Sequence, residues 1–294
     1  MEEVCGICGG ELRLRHRGSR AALTAAALSP TCHSPGGHGD LWACARCGTV
    51  QQPARPADGT LADLYRQMSD DDYLAQERGR RATARRLLER IERVRPGGRL
   101  LDVGCGHGLL VDEARRRGWD ASGLEVSASA AAYARHVLGL DVREEPVEAL
   151  DPARDGPFDA IVLADVIEHL DDPVAVVRSC AALLAADGGV LCVVTPDPGS
   201  RTARVAGARW WALLPGHTYL LPRATLRSVL AGEGLAIAGD TGLRRTFSLS
   251  YWMQGLGERS GGLGRALGAV ARTPVGRVPI TLSLGDERVV IARR

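Results

Sequence analysis

Short apolar runs alternate with amphipathic stretches through most of this chain. Continuous apolar runs are typical of buried strands, and apolar residues at helical spacing are typical of helices. The predicted strands occupy 99–103, 120–125, 140–143, 158–164, 189–195, 235–238 and 287–292. The predicted helices occupy 108–117, 127–138, 173–186 and 223–233, after a helical preamble from about 59 to 94. Strands that alternate with helices form a parallel sheet covered on both faces, so we predict an α/β fold with seven strands.

The most informative turn joins the strand at 99–103 to the helix that follows it. It reads Asp102-Val-Gly104-Cys-Gly106-His-Gly108. Glycines at such a turn let the backbone approach a ligand where a Cβ would collide, and the following helix offers unpaired N–H groups. Dinucleotide-binding folds use Gly-x-Gly-x-x-Gly, so the aspartate and the even glycine spacing favour a methyl donor over NAD.

This turn and its surroundings closely resemble motif I of the class I S-adenosylmethionine-dependent methyltransferases. The strand at 120–125 ends in Glu125, about twenty residues past the first glycine, which is the usual offset for an acid that binds ribose hydroxyls. The segment 158–170 resembles the family's fourth-strand motif. The resemblance covers about 60–294 and implies a Rossmann-like seven-stranded methyltransferase sheet with S-adenosylmethionine as the cofactor.

The resemblance also assigns donor-binding roles to particular residues. Glu125 is expected to hold the ribose, Val147 and Glu148 to cover the adenine, and Asp165 to lie near the methionine end. Asp102 is expected to support that end or to orient the glycine turn, and Cys105 to act as a backbone spacer. The complete predicted donor set is Asp102, Gly104, Cys105, Gly106, Gly108, Glu125, Val147, Glu148 and Asp165.

Two histidines are candidates for the catalytic base. Methyl transfer from a sulfonium is an in-line displacement, so positioning supplies much of the acceleration and few residues need to be catalytic. A hydroxyl acceptor must lose a proton, and histidine has a pKa suited to that task. We predict His169, just beyond the fourth-strand motif, and His217, within Pro-Gly-His-Thr-Tyr-Leu, as this pair. Each could instead hold its loop by hydrogen bonds alone.

The N-terminal cysteines form two Cys-x-x-Cys-Gly knuckles. Cys5 and Cys8 form the first, and Cys44 and Cys47 the second. Four thiolates make a closed tetrahedral site suited to structural Zn²⁺, without an open position for an activated water. The long segment between the knuckles carries further candidate ligands, namely Cys32, His33 and His38. A redox pair or cysteines packed without metal are the alternatives.

Composition and charge fit a globular protein of one large and one small domain. The chain has 294 residues, 45% of them hydrophobic, and a formal net charge of +2. We predict a zinc-ribbon-like module over 1–55, a helical cover over 56–98 and a donor-binding domain over 99–294. Within the last, the insertion 246–284 could form a lid, touch a membrane surface or pack on the domain.

The same data limit the partners and the location. All 37 Lys and Arg residues are arginines, and the low net charge makes nucleic acid an unlikely partner. The densest basic stretch, 78–95, also carries apolar residues at helical spacing, which favours a solvated helix face over an RNA contact. No apolar run approaches the ~20 residues that span a bilayer, and the N-terminus lacks a signal-peptide pattern. We therefore expect a cytoplasmic protein.

These observations support one leading function and several alternatives. The leading hypothesis is a small-molecule methyltransferase, acting on an oxygen of a sugar, polyketide or lipid-like intermediate. An RNA methyltransferase is the alternative within enzymes. A methyltransferase-like binding module without catalysis and an NAD-dependent oxidoreductase are the others. The oligomeric state and the acceptor have no signal in the sequence.

Overall fold

A seven-stranded mixed sheet forms the centre of the protein in a computed structural model, which describes residues 4–18, 24–28, 38–52, 60–68, 71–257 and 273–294. Its strands are β4 (Arg99–Val103), β5 (Asp120–Leu124), β6 (Val142–Arg143), β7 (Ala160–Ala164), β8 (Val190–Pro196), β10 (Ala236–Gly242) and β13 (Glu287–Arg293). Their spatial order is β10-β13-β8-β7-β4-β5-β6. Strand β13 runs antiparallel to both of its neighbours, β10 and β8, and the pairings among β8, β7, β4, β5 and β6 are parallel. The predicted α/β fold with seven strands is confirmed.

The predicted helices are present with shorter bounds, together with three further short helices that were not predicted. They are α1 (Thr60–Gln67), α2 (Asp71–Ala75), α3 (Glu77–Glu92), α4 (Leu109–Arg116), α5 (Ala128–His136), α6 (Pro152–Asp155), α7 (Pro173–Leu183), α8 (Arg201–Ala206), α9 (Arg223–Gly232) and α10 (Leu249–Gly257). The three that were not predicted are α6, α8 and α10. Several begin at a side-chain cap, as α5 does at Ser127, whose hydroxyl accepts from the Ala130 amide. No helix in the described part of the chain is long and apolar enough to cross a bilayer.

Two apolar layers, one on each face of the sheet, hold the helices. Alternate residues of β4 point to opposite faces, so Leu101 and Val103 join one layer and Leu100 joins the other. Helix α7 packs on the first layer through Val176 and Val177. Helices α3, α4 and α5 pack on the second. This arrangement fixes the carboxyl ends of β4, β5 and β7 along one edge of the sheet.

A second sheet joins the N-terminal segment to the rest of the protein. It contains β1 (Leu12–His16), β2 (Leu41–Cys44) and β3 (Val50–Gln51), and its fourth strand is β9 (Tyr219–Leu220). Strand β3 pairs with β9 antiparallel, with Val50 opposite Leu220 and Gln51 opposite Tyr219. The small cysteine-rich sheet is thus completed by a strand that sequence analysis assigned to the large domain.

The described part of the 246–284 insertion packs on the domain. It consists of the hairpin strands β11 (Arg245–Ser248) and β12 (Pro279–Leu282) with α10 after the first. The guanidinium of Arg86 on α3 donates to the hydroxyls of Thr246 and Thr281 at 2.7 and 3.1 Å. Residues 258–272 of this insertion lie outside the described part.

Candidate active site

The glycine turn between β4 and α4 is fixed to the end of the neighbouring strand. The amides of Gly104 and Cys105 both donate to the Leu124 carbonyl, at 2.8 and 2.9 Å. Gly104 has a φ of 70°, and a Cβ there would lie 2.6 Å from a methyl carbon of Val166. Only glycine meets both conditions, which is the physical reason for its place in the motif.

Glu125 lies directly beneath this turn. Its two carboxylate oxygens accept hydrogen bonds from the amides of Gly106 and Ser127, both at 2.7 Å. Burial raises the pKa of Glu125, and those amides oppose the shift. Each carboxylate oxygen can accept a further hydrogen bond. The oriented carboxylate therefore suits the two hydroxyls of a ribose.

Asp102 is buried at the end of β4, close to Glu125. Burial and the charge of Glu125 raise the pKa of Asp102 to about 8. Cys105 is also buried, and burial raises the pKa of its thiol well above the usual value. A buried thiol of this kind stays protonated, so the geometry agrees with a spacer rather than a nucleophile.

The helical preamble covers the turn. The carbonyl of Met68 accepts hydrogen bonds from the hydroxyls of Ser127 and Ser129, both at 2.9 Å. The ring of Tyr73 stacks on His107 with 4.6 Å between ring centroids. Together they enclose a cavity of about 30 Å³, lined by Met68, Tyr73, Gly106, His107, Glu125, Ser127, Ser129 and Ala130. The cover thus lies directly on the predicted donor turn.

Arg80 adds a positive charge to the cover. Its guanidinium carbon lies 3.7 Å from the ring centroid of Tyr73. The Nε and Nη2 atoms of Arg80 are buried, and no hydrogen-bond partner is found for them among the described residues. A buried guanidinium without an acceptor is costly, so this position suits an anionic group.

The remaining predicted donor residues are more dispersed. Asp165 has a φ of 59° and its carboxylate accepts from Arg245 at 2.5 Å. Val147 is buried in the apolar layer that includes α7, and Glu148 is exposed. Neither Val147 nor Glu148 lines the cavity under Tyr73.

The two predicted histidines meet beyond the end of β7. The rings of His169 and His217 are edge to face, with centroids 4.7 Å apart. A ligand atom of each lies within 4.8 Å of the other and of a carboxylate oxygen of Glu168. Tyr65 on α1 closes this cluster, since its hydroxyl lies 2.6 Å from Nδ1 of His169.

Burial sets the protonation of this cluster. Burial lowers the pKa of His169. Burial, with the nearby His169 as a second cause, lowers the pKa of His217 well below its usual value. Burial and the charge of Asp165 raise the pKa of Glu168 to about 8. Both imidazoles are therefore neutral at neutral pH. Their Nδ1 atoms lie 3.0 Å from the Gly216 carbonyl and 2.7 Å from the Ala212 carbonyl, respectively.

The four knuckle cysteines also come together. The Sγ atoms of Cys5 and Cys47 are 3.7 Å apart, and those of Cys8 and Cys44 are 3.5 Å apart. Four sulfurs at 2.3 Å around a tetrahedral zinc are about 3.8 Å from each other, so the thiols fit this ion. Burial opposes ionisation, but the amides of Cys47 and Arg46 lower the pKa of Cys44 to about 6.

Among the alternative zinc ligands, His38 is the one that the structure describes, and it does not join this group. His38 is buried and lies outside the cysteine cluster, with Nδ1 2.8 Å from the Gly39 carbonyl. Cys32 and His33 lie outside the described residues.

Comparison with known proteins agrees with this geometry. A family model described as a methyltransferase domain matches residues 75–238. The chain belongs to the class I S-adenosylmethionine-dependent methyltransferase family. A ubiquinone biosynthesis O-methyltransferase from Xanthomonas campestris is 37% identical over 131 residues, which are 42% of this chain and 55% of that protein. The match thus spans about half of that relative's length.

Other members of the methyltransferase family extend the comparison. A ubiquinone biosynthesis O-methyltransferase from Albidiferax ferrireducens is 33% identical over 174 residues, or 56% of this chain and 68% of that protein. A S-adenosylmethionine-dependent methyltransferase from Archaeoglobus fulgidus has a TM-score of 0.53 at 16% identity, with 76% of this chain and all of that chain covered. The last comparison supports the fold alone.

Several residues of the site were not predicted from the sequence. Glu168 lies inside the fourth-strand motif at 158–170, but no role was predicted for it. Arg80 was one of eight arginines in 78–95, and nothing in the sequence distinguished it. Gln52, whose side chain reaches the carbonyl of His217, lies in a polar stretch of the sequence without a motif.

Proposed function

We propose that the protein transfers a methyl group from S-adenosylmethionine to an oxygen atom of a small-molecule acceptor. One relationship carries the proposal. Tyr65 lies between the two halves of the site. Its hydroxyl contacts His169, and while burial raises the pKa of this hydroxyl most, the charges of Glu168 and Glu125 raise it further. The donor-side carboxylate and the histidine cluster thus both lie near Tyr65.

The residues on the donor side bind and orient the cofactor. S-adenosylmethionine supplies an electrophilic methyl group when it is bound. Glu125 receives two ribose hydroxyls, and Asp165 supplies negative charge near the cationic end. Asp102, whose raised pKa keeps it protonated at neutral pH, supports that end by hydrogen bonding. The cavity of about 30 Å³ is far below the roughly 300 Å³ of small-molecule sites, so the cover formed by Met68 and Tyr73 moves aside on binding.

The acceptor side removes a proton. The Ala212 carbonyl can only accept, so Nδ1 of His217 carries the hydrogen and Nε2 holds the lone pair. Nδ1 of His169 contacts both the Gly216 carbonyl, which only accepts, and the Tyr65 hydroxyl, which can donate or accept. A neutral imidazole with a free Nε2 accepts the proton of an acceptor hydroxyl, and the oxygen then attacks in line.

The acceptor class follows from the relatives and the closed site. Two curated relatives are named O-methyltransferases of ubiquinone biosynthesis, which supports a hydroxyl on a small organic molecule. We extend this to a sugar, polyketide or lipid-like intermediate. The RNA alternative loses support because Arg81 and Arg95 pair with Asp112 and Asp159, while Arg86 binds two threonines.

The cysteine-rich sheet serves this site as a structural module. We propose that Cys5, Cys8, Cys44 and Cys47 hold one Zn²⁺ and that 1–55 forms the module, with 56–98 as cover and 99–294 as the donor-binding domain. The sheet pairs with β9, two residues after His217, so the module borders the acceptor side.

Calorimetric titration with S-adenosylhomocysteine tests the proposal first, with NAD as the parallel ligand. We expect binding of S-adenosylhomocysteine alone, weakened at least tenfold in Glu125→Ala because the ribose loses its acceptor. The matched control is Glu89→Ala, an exposed glutamate on α3. Binding of NAD only, or of neither ligand, would refute the proposal. Methyl transfer to hydroxylated acceptors, followed by mass spectrometry, then identifies the acceptor.

A further inference from the structure

We propose that Glu168, His169 and His217 form a binding site for one first-row divalent metal ion, separate from the four cysteines. The three side chains offer two imidazole nitrogens and one carboxylate oxygen, all within 4.8 Å of one another. Two histidines and one carboxylate on one side of an ion are a common ligand set for Mn²⁺, Fe²⁺, Co²⁺ and Zn²⁺. The set leaves further positions of the ion open.

The hydrogen bonds of the two imidazoles indicate which ring nitrogens can hold the ion. Nδ1 of His169 and Nδ1 of His217 both face backbone carbonyls, which accept and cannot donate. Nε2 of His217 therefore presents a lone pair. Nδ1 of His169 also contacts the Tyr65 hydroxyl at 2.6 Å, and no hydrogen bond to Nε2 of either histidine is found in the described part of the chain. Two imidazole nitrogens and one carboxyl oxygen converge in a buried space, where a cation can take the place of their protons.

A further hydrogen bond already orients each of the three ligand side chains. The Gly216 and Ala212 carbonyls hold the two imidazoles, and the Thr195 hydroxyl donates to Oε2 of Glu168 at 3.0 Å. Metal-binding histidines usually donate their other ring N–H to such an acceptor, and metal-binding carboxylates are usually hydrogen-bonded as well. The Glu168 oxygen that Thr195 does not hold is left for the ion.

The role of the ion in the reaction rests on the proposed function, whereas its binding does not. An acceptor hydroxyl that takes an open position on the ion loses its proton more readily, and the proton passes to water. The oxygen lone pair forms the new C–O bond while the C–S bond breaks toward sulfur. The histidines then act as ligands rather than as bases.

Mn²⁺ titration of protein that carries one Zn²⁺ per chain, held by the four cysteines, tests the site, with unbound Mn²⁺ followed by its electron paramagnetic resonance signal. Mn²⁺ does not bind at the cysteine site in this measurement, because the thiolates already hold Zn²⁺ and Mn²⁺ prefers oxygen and nitrogen ligands. We expect one Mn²⁺ per chain and at least a tenfold loss of affinity in Glu168→Gln and in His217→Ala. Glu168→Gln keeps the size of the side chain, so it remains informative if His217→Ala does not fold.

His136→Ala is the matched control, since His136 is exposed at the end of α5. Its Mn²⁺ affinity should equal that of the unchanged protein. Lack of Mn²⁺ binding up to millimolar concentration, or equal binding by Glu168→Gln, overturns the metal site. If S-adenosylhomocysteine still binds in that case, the proposed function stands with the histidines as bases. If Mn²⁺ binds while S-adenosylhomocysteine does not, the metal site stands and the proposed function falls.

Discussion

The side-chain amide of Gln52 donates a hydrogen bond to the carbonyl oxygen of His217 at 2.7 Å. The same nitrogen lies 3.2 and 3.3 Å from the carbonyls of Leu214 and Pro215, and Oε1 of Gln52 accepts from the Gly39 amide at 2.8 Å. A residue next to the cysteine-rich sheet thus holds the loop that presents an acceptor-side histidine.

Gln52→Ala should lower acceptor turnover while donor affinity stays the same. The change leaves buried carbonyls unpaired, which costs about 1–3 kcal/mol of unfolding free energy and releases the loop around His217. Urea unfolding, acceptor kcat/KM and S-adenosylhomocysteine affinity check the three parts. Gln254→Ala, at an exposed position of α10, is the control. An equal loss of donor affinity would show that Gln52 does not act through the loop around His217.

Loss of the predicted zinc should act on the acceptor side as well. Cys44→Ser removes one of four ligands, and the β3–β9 pairing beside His217 then loses its support. We expect less than one zinc per chain by elemental analysis, a lower melting temperature and at least tenfold lower turnover. Cys180→Ala, in the core helix α7, should retain the zinc. Full turnover of zinc-free protein would contradict this role.

Arg80 should recognise the carboxylate of the donor. Arg80 lies over the ring of Tyr73. Burial raises the pKa of Tyr73, Arg80 opposes this shift, and the charges of Asp102 and Asp165 add to it. Arg80 therefore borders the predicted methionine end. Arg80→Gln should weaken S-adenosylhomocysteine binding about tenfold or more, since a hydrogen bond to a charged group contributes roughly 1.5–3 kcal/mol. Methylthioadenosine lacks the amino-acid end and should bind both proteins equally. Equal losses for the two ligands would show that Arg80 only packs.

The stability of the protein should fall as pH rises toward 8. Burial raises the pKa of Asp102 to about 8, above the usual value near 4. Between those values the folded state holds a proton that the unfolded state has released. Stability is therefore largest below pH 4 for this group and is lost as pH rises, by up to about 1.4 kcal/mol per pH unit.

Asp102→Asn should remove that part of the pH dependence. Urea unfolding at several values from pH 5 to pH 9 measures it, and the variant's curve should be flatter by up to the same slope. Glu168, whose pKa burial also raises to about 8, keeps its own contribution in both proteins. Parallel curves for the two proteins would show that Asp102 ionises normally.

Much of the central fold could be predicted because its signals are local. Strand β4 has the predicted bounds, and α4 differs from its predicted bounds by one residue at each end. The strand at 158–164 begins only at Ala160, since Phe158 makes an isolated bridge to Leu184. The strand at 235–238 extends to Gly242 because β13 offers it a long antiparallel partner.

The tryptophan pair shows where local signals end. Nothing in the sequence around Trp210 and Trp211 separates stacking on a ligand from packing in a core. Both indole N–H groups donate to one oxygen of Asp286, at 2.8 and 2.7 Å, and Trp210 packs with Leu41 and Val50 of the cysteine-rich sheet. Their partners lie far away in the sequence, so only the packed structure could decide between the two.

The sequence alone determined the class of sheet, the glycine turn, the acid after β5 and the two cysteine knuckles, because apolar period and motif spacing act over a few residues. Tertiary structure decided that β3 pairs with β9, that Tyr65 joins His169, and that His217 meets Glu168. Those contacts join segments about 50 to 170 residues apart. They form only when packing closes the chain around one core, so no local pattern records them.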